Sequence, residues 1–307
     1  MSQPSWKKFL WQRQPYPDNY IPPDSFLSSL RRNPNFTPYT YWPLVLSCCP
    51  ITQHLGAIVS FLAVFVRLQE RSLDARVLLW ISLVCFLLGY LVWEVLDSSD
   101  PPPRPSNRSK ALKSSLLVFL ALMGLTPVLR TLTAATSSDS IWALSACQFL
   151  LNTLLADYSC MKPGSHSQER LTSVLSMNAG MSSSVVLASR LPDDLSVFSL
   201  VLFAVQLFAL FPILRHRFWV GAIPPAVQVG VTISASALSL VLIAPLSELA
   251  VALVFGVYAT VNLIAPGILV WAQRYKNEIR GPWDVAIPRV NCNQFPIHTG
   301  SGVGNTL

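Results

Sequence analysis

The sequence predicts an all-α fold, a polytopic membrane helix bundle with about eight transmembrane helices and both termini in the cytosol. Three observations carry that prediction. Only 12% of the 307 residues are charged while 52% are hydrophobic, and mean hydropathy is +0.46, whereas a water-soluble domain carries about 25% charge. Eight apolar stretches approach the ~20 residues that a helix needs to cross hydrocarbon. Basic residues lie between those stretches and gather on one side. The same composition excludes a disordered chain. The net charge of +7 is explained by membrane orientation and anionic lipid, so no nucleic-acid partner is expected.

Taken in order, residues 1–42 form a cytosolic, interfacial segment, 43–273 the transmembrane bundle and 274–307 a cytosolic tail. The first segment mixes Trp, Pro, Lys and Arg without the apolar core of about 7–15 residues that marks a signal peptide, so the first long apolar run is expected to direct insertion. Trp6, Phe9, Leu10 and Arg13 can share one short interfacial helix. Pro15, Pro17, Asp18, Asn19 and Tyr20 follow in a turn-rich stretch that suits an ordered partner-docking element. The spans are expected at 44–66, 75–96, 112–134, 140–157, 171–190, 195–214, 227–245 and 247–272. Only the tight turn Ala244-Pro245-Leu246-Ser247-Glu248 separates the last two, and a re-entrant or seven-span arrangement is the alternative there. The proline-rich stretch 101–105 reads as a stiff spacer.

With the N-terminus in the cytosol, seventeen Lys and Arg lie on that side and five on the other, a strong positive-inside asymmetry. The sequons at Asn35 and Asn107 then face the cytosol and should stay unglycosylated. Cys48, Cys49, Cys85, Cys147, Cys160 and Cys292 form no CxxC pair or Cys/His cluster. They read as small buried hydrophobes rather than metal ligands or disulfides, and no metal or cofactor is expected.

Polar residues inside the spans are the informative exceptions, because a polar group in lipid must find a partner. Ser145, Gln148 and Asn152 recur at spacings of three and four in the fourth span and so share one helical face. That face suits hydrogen bonds between helices or, alternatively, a lipid-headgroup or cavity role. Ser176, Gly180, Ser184 and Ala188 place a small residue at every fourth position of the fifth span, which lets another helix approach closely and makes this helix central or subunit-facing. Asn178 lies off that stripe and needs its own partner. Arg130 follows Gly124 and Pro127, where the helix can bend; it and Asp157 are expected to reach opposite membrane interfaces. Asp193-Asp194 reads as a turn with a helix cap at Asp194.

Past the last span, Gly281, Pro282, Trp283 and Asp284 stop a helix and anchor at the interface. This stretch is either a membrane-edge cap or a docking element. The residues expected nearest lipid or substrate on the cytosolic side are Asp157, Tyr158, Arg215, Arg217, Arg280 and Trp283. A basic side chain there can meet a phosphoinositide phosphate.

Several stretches, in order, resemble the PIG-C family: QRQPYPDNY at 12–20, TPVLRTLT at 126–133, SDSI at 138–141, DY at 157–158, LSMN at 175–178, LASRLP at 187–192, QLFALFP at 206–212 and IRGPWD at 279–284. The resemblance runs over roughly residues 6–286. It implies a membrane subunit of the complex that transfers N-acetylglucosamine from UDP-N-acetylglucosamine to phosphatidylinositol, at the cytosolic face of the endoplasmic reticulum, in the first step of GPI-anchor biosynthesis. It also implies a catalytic centre in a PIG-A-like partner, with further subunits of the PIG-H, PIG-P, PIG-Q and PIG-Y types, and phosphatidylinositol as the acceptor. The chain itself would then scaffold the complex and present that lipid, with no catalytic residue of its own. The alternatives are a stand-alone lipid transporter or scramblase, suggested by Pro127, Pro212, Pro245 and Pro266 in or near spans, and a membrane-embedded lipid-modifying enzyme.

Overall fold

The computed structural model describes residues 13, 15–16, 38–98, 108–133, 135–158, 171–220 and 224–276. Tyr39–Trp271 forms one compact helical unit. The described residues fall into eight helical rods: α1 (Tyr41–Gln69), α2 (Ala75–Ser98), α3 (Arg108–Thr131), α4 (Ser138–Leu155), α5 (Leu171–Ala188), α6 (residues 194–220), α7 (Pro225–Ile243) and α8 (residues 248–276). No strand occurs among them.

Six rods are long and apolar enough to cross a membrane: α1, α2, α3, α6, α7 and α8. The other two expected spans fall short for a physical reason. α4 carries Ser145, Gln148 and Asn152, and the apolar part of α5 runs only over Val174–Ala188. These two rods pack against each other and satisfy many of their polar groups mutually. The turn at 244–247 does separate two rods: Ser247 caps α8, its Oγ accepting from the Ala250 amide at 3.3 Å.

α1 is the axis of the bundle. Nearly every residue from Cys49 to Leu68 is buried or half-buried, because α4, α6, α7 and the middle of α8 surround it. The core lies on one side of this axis. There Phe61 of α1, Phe149 of α4 and Phe208 of α6 meet with ring centroids 5.6–5.8 Å apart, and Phe65, Leu187, Val197, Leu200 and Val201 extend the contact. α2 and α3 pack on α6, where Phe119 meets Phe198 edge-on at 5.1 Å. Their outer faces, including Trp80, Leu87, Leu88, Leu117 and Leu120, are exposed and apolar, as lipid contact requires.

Two of the prolines in or near the spans do not end a helix. Pro212 and Pro266 each follow a five-residue π turn, Gln206–Leu210 in α6 and Thr260–Ile264 in α8. A proline ring clashes with the carbonyl four residues earlier. A wider turn just before it accommodates the ring while the rod continues.

Four sequence-level expectations change. Cys85 and Cys147 are exposed on outer helix faces rather than buried, since apolar surroundings tolerate a thiol as readily as a core does; Cys49 is buried, and Cys160 and Cys292 lie outside the described residues. The cap of α6 is Asp193, not Asp194, and its side chain makes no capping bond. Asp194, the first helical residue, instead pairs with Arg130 at 2.9 Å, so Arg130 reaches across to a neighbouring helix end rather than only to the interface. Asn178 is exposed and makes no hydrogen bond among the described residues.

Candidate functional site

The most distinctive site is a buried polar cluster at one end of the bundle. α1 supplies Thr52, Gln53 and His54, three consecutive polar residues no more than 5% exposed. Successive helix positions point about 100° apart, so enclosing all three requires neighbours on every side.

His54 faces α4. Its Nε2 lies 2.7 Å from Asn152 Oδ1. The Asn152 amide nitrogen donates to Ser176 O at 2.7 Å and to Ser176 Oγ at 3.1 Å, and Ser176 Oγ donates back to Asn152 O at 2.6 Å. Because a carbonyl can only accept, these bonds fix Nδ2 toward Ser176 and Oδ1 toward His54. His54 therefore carries its proton on Nε2. One asparagine thus ties three helices together.

Tyr158 lies just beyond the end of α4 and meets the His54 ring edge-on, with centroids 5.9 Å apart. Its hydroxyl donates to Thr153 O at 2.8 Å, closing one of the carbonyls left open where the helix stops. Burial pushes its phenol up to about 12, against the opposing pull of Arg215. Arg215 of α6 is only 7% exposed. Its Nη1 donates to Pro50 O of α1 at 2.9 Å, and its guanidinium carbon lies 5.8 Å above the Tyr158 ring, in cation–π range.

Gln53 faces α7, donating to Thr232 Oγ1 at 2.9 Å and to Gln228 O at 3.4 Å. Gln53 Oε1 and Thr52 Oγ1 are enclosed without partners. Enclosed unpaired polar atoms are costly. The cluster thus holds two enclosed acceptors without partners and, beside Tyr158, the buried Arg215 cation. A buried cation of this kind suits a phosphorylated headgroup. No group of three or more His, Cys, Asp or Glu able to hold a metal occurs among the described residues.

Of the residues expected near lipid, Tyr158 and Arg215 come together here. Arg217 does not: two positions along the helix from Arg215, it projects the other way, over the Trp93 ring of α2 at 5.8 Å. Asp157 is exposed beside Tyr158. Arg280, Trp283, Pro17, Asp18, Asn19, Tyr20, Gly281, Pro282 and Asp284 lie outside the described residues; Pro15 is an exposed bend. In the fourth span, Gln148 and Asn152 bond α5 through their side chains, Gln148 Nε2 donating to Ser182 Oγ at 3.0 Å; Ser145 does so through its backbone carbonyl, which accepts from Ser183 Oγ at 3.1 Å, while its own Oγ is enclosed without a partner.

The small-residue stripe of α5 turns inward, not toward another subunit. A Cβ on Gly180 would lie 2.9 Å from Asn152 Nδ2 and 3.1 Å from the Phe208 ring. Ser176 and Ser184 are buried, and Ala188 is fully enclosed. The residues that composition did not single out are Thr52, Gln53 and His54. Their signal was present as a polar triplet inside an otherwise apolar run.

A sequence profile of the GPI2 family, described as phosphatidylinositol N-acetylglucosaminyltransferase, matches residues 6–284. A Schizosaccharomyces pombe protein named phosphatidylinositol N-acetylglucosaminyltransferase GPI2 subunit is 37% identical over 287 residues, spanning 93% of this chain and 87% of that protein. A human protein, also named as a subunit of phosphatidylinositol N-acetylglucosaminyltransferase, is 32% identical over 291 residues, spanning 94% and 95%. A Saccharomyces cerevisiae GPI2 subunit is 29% identical over 227 residues, spanning 69% and 73%. No solved structure matches. With a family match running through nearly every helix described above, the chain belongs to the GPI2 family of phosphatidylinositol N-acetylglucosaminyltransferase subunits.

Proposed function

We propose that this chain is a multi-pass, non-catalytic subunit of the complex that transfers N-acetylglucosamine from UDP-N-acetylglucosamine to phosphatidylinositol, the first step of GPI-anchor biosynthesis. The observation that carries the proposal is the collinear family match over residues 6–284. The sugar-nucleotide pocket is supplied by a PIG-A-like partner. Subunits of the PIG-H, PIG-P, PIG-Q and PIG-Y types complete the assembly in the endoplasmic reticulum membrane. All eight rods cross the bilayer, with 1–42 and 274–307 as cytosolic flanking segments.

The polar cluster then lies at the cytosolic end, beside Asp157. Its role is to hold the lipid acceptor, with Arg215 offering positive charge to the phosphodiester. Holding the acceptor against a donor site on the partner is catalysis by proximity.

The test is gentle purification of the tagged chain, identification of co-eluting polypeptides by mass spectrometry, and assay of N-acetylglucosamine transfer. Activity is expected from the assembled complex and not from this chain alone. Arg215→Gln should keep the assembly and weaken use of phosphatidylinositol. Transfer by the chain purified to homogeneity would overturn the proposal.

A further inference from the structure

The Arg215 guanidinium is held both by a carbonyl and by an aromatic ring. Its Nη1 donates to Pro50 O at 2.9 Å, and its central carbon lies 5.8 Å from the centroid of the Tyr158 ring. A single hydrogen bond fixes one point of a guanidinium and lets its plane rotate about that point. A ring beneath the cation restricts that rotation, because the charge is drawn toward the centre of the π cloud. An arginine side chain not restrained in this way samples many rotamers.

Tyr158 must be held in turn, since it lies beyond the regular backbone. α4 ends at Leu155, and Ala156 is already extended, with φ −66° and ψ 140°. Its own side chain does the holding. The hydroxyl donates to Thr153 O at 2.8 Å, and the ring stands edge-on against His54 at an interplanar angle of 88°. His54 cannot swing away, because Nε2 bonds Asn152 Oδ1 at 2.7 Å and Asn152 is tied to Ser176. A chain of contacts therefore runs from α5 through α4 and α1 to the cation on α6. The two parts of the tyrosine have separate tasks: the hydroxyl fastens it to α4, and the ring faces Arg215. Neither is needed to hold the helices together, which the contact of Phe61, Phe149 and Phe208 does elsewhere.

We infer that Tyr158 is a positioning residue for acceptor binding: its ring sets the direction in which Arg215 presents charge to the phosphodiester of phosphatidylinositol. The inference rests on the acceptor-holding role proposed above for Arg215. The phosphodiester carries its charge before the reaction as well as during it. Misaiming Arg215 therefore weakens acceptor binding and leaves the chemical step alone.

The test measures N-acetylglucosamine transfer by the purified complex as phosphatidylinositol is varied in mixed micelles. Tyr158→Leu should raise KM for phosphatidylinositol roughly three- to thirtyfold, with kcat and KM for UDP-N-acetylglucosamine unchanged. Tyr158→Phe, which keeps the ring, should leave KM close to that of the unaltered complex. In an Arg215→Gln background, Tyr158→Leu should add nothing further, whereas a residue that only stabilises the bundle would add its own effect. Phe119→Leu, which removes a ring between α3 and α6, is the control and should not change KM. The inference is overturned if Tyr158→Phe is as damaging as Tyr158→Leu, if Tyr158→Leu leaves KM unaltered, or if it costs as much again without Arg215. Should Tyr158→Leu not assemble, Tyr158→Met takes its place, and failure of both to assemble marks a structural residue and overturns the inference too. If Arg215→Gln itself leaves KM for phosphatidylinositol unchanged, the proposed acceptor role falls first and this inference with it.

Discussion

Replacing Gly180 by alanine probes the closest helix approach in the bundle. The added methyl would lie 2.9 Å from Asn152 Nδ2 and 3.1 Å from two ring carbons of Phe208, distances at which something must move. Neither neighbour can move cheaply. Asn152 is held by bonds to His54 and Ser176, and Phe208 is wedged between Phe61 and Phe149. Overpacking of this kind costs about 1–3 kcal/mol, while exchanging glycine for alanine inside a helix returns up to about 1 kcal/mol. The net loss is up to about 2 kcal/mol, and about 1–3 kcal/mol relative to a Gly→Ala exchange in open space, which for a chain of this size places Tm about 2–12 °C below such a control. Melting of the purified protein in detergent, followed by the fraction still monodisperse after heating, reads this directly. Gly124→Ala and Gly230→Ala serve as controls, because a Cβ at either position meets nothing within 4 Å; both should leave Tm unchanged or raise it. If Gly180→Ala melts with the controls, the inward placement of the α5 stripe is wrong.

Other changes should separate the interactions in the same assay. Asn152→Leu keeps volume but strands the His54 Nε2–H in an enclosed site, and should cost about 1–3 kcal/mol; a double-mutant cycle with His54→Leu should recover a favourable coupling above about 0.5 kcal/mol. Arg71 adopts φ 57° after α1, where Ser72 N bonds Arg67 O and Arg71 N bonds Leu68 O in a Schellman arrangement. Arg71→Gly should therefore stabilise by up to about 1 kcal/mol. Asp194→Asn removes an ion pair whose side chains are 45% and 52% exposed, and should change stability by less than about 1 kcal/mol. The folded chain holds the Tyr158 proton up to about 12, whereas an unfolded tyrosine releases it near pH 10. Its contribution is complete below that pH and declines as pH rises toward 12, so Tyr158→Phe should flatten part of the alkaline loss of stability.

The positions of the rods were legible in the sequence because hydropathy over twenty residues reports which segments leave water. It does not report which face meets protein and which meets lipid, since both are apolar. Nothing in the composition of α1 therefore marked it as the axis while α2 and α3 lie at the periphery. Spacing did place Ser145, Gln148 and Asn152 on one face, and the partner across that face is the stripe of α5. What spacing lacked was the third helix. His54 completes the arrangement from 98 residues away, and only the packing brings it there. The two π turns were likewise visible only as prolines, which signal a disturbance without saying whether the rod ends or merely widens.

The innermost helix in space is the first of the described helices in sequence, and this shapes how the protein is made. Gln53 leaves the ribosome 175 residues before Gln228, near which it finally bonds, an interval of roughly 10–35 s at ordinary rates of synthesis. Throughout that wait Gln53 must be sheltered by something other than its eventual partners on α7, whereas His54 waits only for Asn152, 98 residues behind it. An insertion chaperone that retains the nascent first segment until α7 arrives would meet that need, and truncation before Pro225 should leave the newborn chain bound to it and marked for degradation.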